Sequence, residues 1–179
     1  GSAWVKIQYQ QSLCNQLPNS GMAILNDIGD ARDIHPLNKV DAGKRLSFLA
    51  LNRSYKKSDV AFSGPTYKSH QINEDKMIIT FEHCGSGLMT GEKNQHEAVI
   101  QVQAPLQHFQ ICGDDGIWQW AKARIISPSQ VVVYHPQIKS PVEVRYAWAS
   151  NPEKANLYNK EGLPAGLFKT FSLAFEFKK

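Results

Sequence analysis

The sequence predicts a chain of two fold types: an α/β segment over residues 1–62, then an antiparallel β-sandwich over residues 63–150. Three observations predict it. The first sixty residues read helix, buried strand, polar loop, helix. From Gly64-Pro65 onward, short segments rich in Val, Ile, Tyr, Phe and Trp alternate with turn formers. With 179 residues, 42% of them hydrophobic and 20% charged, the chain is long and apolar enough to bury a core without staples.

The first helix is expected over residues 3–14, where Trp4, Val5, Ile7, Tyr9 and Leu13 recur at helical spacing; Pro18 and the turn formers Asn19-Ser20-Gly21 stop it. Met22-Ala23-Ile24-Leu25 follows as a short apolar run without alternation, the pattern of a strand covered on both faces. Polar residues crowd the next loop up to Pro36. A second helix fits residues 36–55, with Pro36 at an early position and Ala42, Leu46, Leu49 and Ala50 as its inward stripe.

Strands are expected over residues 66–72, 77–82, 109–111, 118–126, 131–134 and 142–148. Asn73-Glu74-Asp75 and Gly113-Asp114-Asp115-Gly116 read as hairpin turns, and Pro128, Pro136 and Pro141 stand where strands pause. Trp118 and Trp120, two residues apart, read first as one sheet face filling a core, with stacking on a sugar as the competing use of these rings and of Tyr146 and Trp148. Residues 151–164 read as an ordered loop, and residues 167–177 as an apolar tail.

Composition excludes several function classes. Twenty Lys plus Arg against sixteen Asp plus Glu leaves a net charge of +4, too small and scattered for a nucleic-acid footprint. No run approaches the roughly twenty apolar residues of a membrane span. Cys14, Cys84 and Cys112 share no zinc-knuckle spacing and are expected as free or buried thiols, with one pair able to bridge if the protein is exported. The start lacks the pattern of a signal peptide, and Gly1-Ser2 reads as a cloning or cleavage scar. His70, His83, His96, His108 and His135 are too widely spaced to make a recognisable ligand pair.

Chemistry is concentrated in Asp27-Ile28-Gly29-Asp30-Ala31-Arg32-Asp33-Ile34-His35-Pro36, at the carboxyl end of the expected strand, where open α/β sheets collect reactive groups. A carboxylate beside a histidine accepts the Nδ1 proton and leaves Nε2 free to deprotonate a nucleophile. Asp33 is nearest to His35 in sequence, and Asp30 is the reserve. The same spacing also suits a turn former beside a solvated histidine, and Asp27, Asp30, Asp33 and His35 together suit a hard cation such as Ca²⁺ or Mg²⁺.

The string Gly21-Met22-Ala23, Asp27-Ile28-Gly29-Asp30, Asp33-Ile34-His35-Pro36, Asn38-Lys39 and Gly43-Lys44-Arg45-Leu46 resembles the last catalytic block of the sialate O-acetylesterases, a branch of the SGNH hydrolases. Later pieces agree: Ser63-Gly64-Pro65-Thr66-Tyr67, Gly85-Ser86-Gly87-Leu88, Val144-Arg145-Tyr146-Ala147-Trp148, and Asn156-Leu157-Tyr158-Asn159 with Gly162-Leu163-Pro164-Ala165. The resemblance implies the C-terminal part of a flavodoxin-like SGNH domain followed by the β-sandwich, with residues 151–179 packing back on the hydrolase part. It implies a serine esterase acting on acetylated sugars such as O-acetyl sialic acid, without metal or organic cofactor, exported to a periplasm or secreted. His35 would be the general base and Asp33 its orienting acid, while Tyr158 and Asn159 would wall the substrate pocket. The chain departs from the D-x-x-H pattern of SGNH enzymes, since position 32 is Arg.

In this family the serine and the oxyanion donors precede the matched region. Gly85-Ser86-Gly87 reads as a tight turn in the sandwich and no substitute for them. The chain is therefore expected to be inactive alone and to need the N-terminal portion of the same enzyme, or to self-associate through uncovered apolar stripes. A non-catalytic carbohydrate-binding or interaction module is the competing reading.

Overall fold

The computed structural model describes residues 3–170. The expected tail therefore lies outside the described residues from 171 onward, as do Gly1 and Ser2. Helix α1, Ala3–Leu13, continues into a 3₁₀ turn, Cys14–Gln16. The chain reverses there because Pro18 cannot extend the helix. The Ser20 hydroxyl then closes the turn on the carbonyls of Cys14 and Leu17.

Residues 22–25 pair with no strand among the described residues, against the strand expected there. A strand exists only through the ladder it shares with a neighbour, and this run lies half-buried outside every sheet.

Helix α2, Lys39–Arg53, begins later than expected because Asn38 caps it: its Oδ1 accepts from Asp41 N at 3.0 Å, and its Nδ2 donates to Asp41 Oδ2 at 2.6 Å. Its inward face carries Arg45 and Leu49, while Leu46, expected inside, is exposed. Ala42, Leu49 and Ala50 keep the packed side expected of them, and Arg45 rather than Leu46 fills the place between them. The cause is electrostatic: Arg45 is drawn inward by a buried carboxylate described below.

The remainder is antiparallel throughout. Strands β1 (Thr66–Asn73) and β2 (Lys76–Glu82) form a hairpin over Glu74 and Asp75. They are followed by β3 (Leu88–Glu92), β4 (Ile100–Gln101), β5 (Phe109–Cys112) and β6 (Gln119–Trp120). Then come β7 (Lys122–Ser127), β8 (Gln130–Tyr134), β9 (Glu143–Tyr146), β10 (Leu157–Asn159) and β11 (Phe168–Lys169). They order as β1-β2-β8-β7, β10-β3-β4 and β11-β9-β5-β6.

Alternate side chains of β2 and β8 (Met77, Ile79, Phe81, Val131, Val133) share one core with those of β5 and β9 (Phe109, Ile111, Val144, Tyr146). Phe168 closes it, with ring contacts to Tyr67, Phe81, Phe109 and Tyr146. The expected strand 118–126 is split in two: β6 pairs with β5, and β7 pairs with β8. Trp120 is consequently exposed rather than part of the core. Cys14, Cys84 and Cys112 are all free thiols.

The return segment joins the two halves. Asn159, fully buried, donates to the carbonyls of Ser63 and His83 and accepts from Leu163 N at 2.9 Å. Gly64 lies so close to this segment that a Cβ there would collide with the Pro164 carbonyl. Asn26 Nδ2 donates to Ala165 O at 3.0 Å, and the α1 residue Tyr9 meets Trp148 with ring centroids 5.3 Å apart.

Candidate functional site

The polar loop between residues 26 and 38 is anchored at both roots. At its start, Asp27 forms a two-pronged pair with Arg45 of α2, Oδ1 to Nη1 at 2.6 Å and Oδ2 to Nη2 at 2.7 Å. Their side chains are only 2% and 6% exposed. The same Nη1 donates to the Ile24 carbonyl at 2.6 Å, and the Tyr158 hydroxyl donates to Asp27 Oδ2 at 3.3 Å. A planar guanidinium matches a carboxylate in this way, and a buried charge needs such partners. At its end, Asn38 Nδ2 donates to the Gln95 carbonyl at 2.8 Å, and Lys93 Nζ lies 2.5 Å from Asp41 Oδ2. Burial would raise the Asp41 carboxyl, but the hydrogen bonds from Lys93 and Asn38 and the charges of Lys93 and Arg45 hold it below its ordinary value.

Between these anchors the loop is built from turns closed by aspartates. Asp30 Oδ1 accepts from Arg32 N, and Asp33 Oδ1 from His35 N, each at 2.8 Å. The second turn brings the Asp33 carboxylate to 3.5 Å from His35 Nδ1. The imidazole is 82% exposed and the carboxylate 56%. Asp30 turns to Arg32, and Asp27 is engaged with Arg45, so the four groups considered for a cation do not converge. Among the described residues no three His, Cys, Asp or Glu side chains do. What the arrangement can do is accept a proton at a ring whose Nδ1 side faces a carboxylate, from an alcohol presented at Nε2.

Tyr158 and Asn159 lie on β10. Tyr158 is buried, with its hydroxyl on Asp27. Burial, then the adjacent Asp27 charge, pushes its phenol well above the ordinary value. The Asn159 amide is occupied in holding backbone together. Beside Asp27 an open groove of about 440 Å³ is lined by Asn26, Gly29, Lys93, Asn156 and Tyr158 among others; Asp33 and His35 are not among its walls. Asn26 Oδ1 is buried there without a hydrogen-bond partner.

Sequence reasoning missed the Asp27–Arg45–Tyr158 cluster. The signal was present: an arginine set within the apolar stripe of α2. Gly85-Ser86-Gly87 forms a tight turn, with Gly85 at φ 54° and the Ser86 hydroxyl held by Glu161.

No family model and no curated protein matches the chain. Among solved structures, it is similar to a carbohydrate acetylesterase from Xanthomonas citri, at 33% identity and a TM-score of 0.85. The likeness covers 96% of this chain and 37% of that one, so the chain spans little more than a third of the length of the protein it matches.

Proposed function

We propose that the chain supplies the histidine–aspartate part of a serine-type carbohydrate O-acetylesterase, whose nucleophile and oxyanion donors come from polypeptide outside these 179 residues. The observation that carries this reading is the likeness to the Xanthomonas carbohydrate acetylesterase across 96% of the chain. The contact between Asp33 and His35 supports it chemically.

In this mechanism Asp33 favours the tautomer that keeps the proton on Nδ1 and leaves Nε2 basic. Nε2 takes the proton of a serine hydroxyl as the oxygen attacks the acetyl carbonyl, and Asp33 stabilises the imidazolium. Nε2 then returns that proton to the departing sugar oxygen, leaving an acetyl-serine and a free hydroxyl. Water, deprotonated by the same nitrogen, releases acetate and restores the serine. The buried Asp27–Arg45 pair keeps the loop that carries this dyad in place. The finer reading, an esterase of the sialate O-acetylesterase type within the SGNH hydrolases, rests on the motif string of residues 21–46.

A chromogenic acetate ester tests the proposal. The single chain is expected to hydrolyse it at background rate, and the chain joined to its missing portion to turn it over. In the joined protein His35→Ala is expected to lower kcat on the order of 10⁶-fold, and Asp33→Asn by roughly 10⁴-fold. Strong turnover by the single chain, or unchanged turnover in His35→Ala, would refute it. Acetate release from O-acetyl sialic acid compared with acetylated xylo-oligosaccharide decides the finer reading.

A further inference from the structure

We infer that the outward face of the sheet β11-β9-β5-β6 is a saccharide-binding surface centred on Trp120, taking a neutral pyranose oligosaccharide. Strand alternation defines the face: Phe109 and Ile111 of β5 point into the core, so Gln110 between them points out. The register then sets Trp120, Gln110 and Arg145 in one row across three strands. The row is a bonded unit. Arg145 Nε donates to Gln110 Oε1 at 2.7 Å, and its guanidinium lies 4.1 Å from the centroid of the Trp118 ring.

Trp120 is 62% exposed, although a tryptophan ring is among the most favourable groups to bury. It is also held in place: His108 meets the ring edge-on at 5.7 Å, and the His108 imidazole is itself bonded to the Glu153 carbonyl. The other end of the same face is covered. Next to Arg145, Lys169 lies over Tyr9 of α1 and over Trp148, 5.0 and 5.4 Å from their centroids. Among the described residues, cover by α1 thus stops at the Lys169 end of this row, while Trp120 at the other end is exposed.

The chemistry of the row selects the occupant. A pyranose ring offers an apolar C–H face to an aromatic platform, and hydroxyls around its rim to planar amide and guanidinium groups. Indole, amide and guanidinium alternate here in one narrow band, unlike the contiguous apolar patch of a protein interface. The solved protein that the chain resembles is a carbohydrate acetylesterase. This surface uses neither Asp33 nor His35, so it stands apart from the esterase reading.

Titration of the 179-residue chain with xylohexaose and with cellohexaose, followed by calorimetry and tryptophan fluorescence, tests the inference. Saturable binding of at least one hexasaccharide is expected. Trp120→Ala should weaken it about tenfold or more and Gln110→Ala by less, with Trp120→Phe regaining part of the loss. Circular dichroism is expected to be unchanged in all three. His35→Ala should bind like the parent chain, which keeps this outcome independent of any loss of ester hydrolysis. Absence of binding by the parent chain at concentrations on the order of 10 mM, or equal binding by Trp120→Ala, would overturn it.

Discussion

Arg45 and Asp27 show how one charge pair can set the geometry of a loop. Removing one partner leaves the other buried and uncompensated, a cost of about 3–5 kcal/mol. Arg45→Ala is therefore expected to lower the unfolding free energy from urea melts by that amount, and Asp27, 2% exposed, is the group it strands. A loss below about 1 kcal/mol would show that the loop does not depend on the pair. Two tyrosines near it give a pH signature. Burial raises the phenols of Tyr146 and Tyr158 far above their ordinary value; the Tyr146 oxygen accepts from Leu157 N at 3.0 Å, while Tyr158 faces the Asp27 charge. A group whose folded pKa is raised stabilises the fold fully below its unfolded pKa, here about 10, and that stability is lost as pH rises further. Alkaline titration should therefore show these two of the six tyrosines ionising only together with unfolding, read by phenolate absorbance against circular dichroism. Phenolate appearing for all six before the fold is lost would contradict this.

At the scale of elements, the longer strands were legible because period-two burial is written directly into sequence: β2 alternates Met77, Ile79 and Phe81 inward, and turn formers bracket it. The two- and three-residue strands β4, β10 and β11 were not, and β6 was legible only as part of one longer strand with β7. Ladders that short carry no periodicity and exist only because a partner lies alongside. β3 also escaped, since Leu88, Met89, Thr90 and Gly91 are all buried and show no alternation. The turn of the β1–β2 hairpin was read correctly, but with an unfavourable residue in it. Glu74 sits at φ 55°, a left-handed conformation that costs a side-chain-bearing residue about 1 kcal/mol. Glu74→Gly is accordingly expected to raise stability by roughly 0.5–1 kcal/mol, measured by denaturant melts with unchanged slope. A destabilising result would mean that the Glu74 side chain contributes more than the strain it bears.

Across the whole molecule the exposed apolar side chains are unevenly distributed. The sheets are closed over a common core, whereas Ile34, Leu37, Val40 and Leu46, on the loop and on α2, stand in solvent. The order of motifs along residues 21–46 was plain in sequence. What that segment packs against was not, because its apolar residues find too few partners among the described residues, and residues 22–25 lie outside every sheet. Uncovered apolar surface drives association in proportion to its area. The single chain is thus expected to self-associate as concentration rises, in sedimentation velocity runs. Leu37→Glu combined with Val40→Glu should shift it towards monomer without changing the unfolding free energy by more than about 0.5 kcal/mol, since both residues are exposed. The same pair of substitutions in the joined protein separates two origins of that surface. If these side chains meet the portion that supplies the nucleophile, joining the two parts should abolish self-association in the parent protein, and the double substitution should then weaken ester turnover. Self-association that persists after joining would instead assign the surface to contacts between copies of the chain.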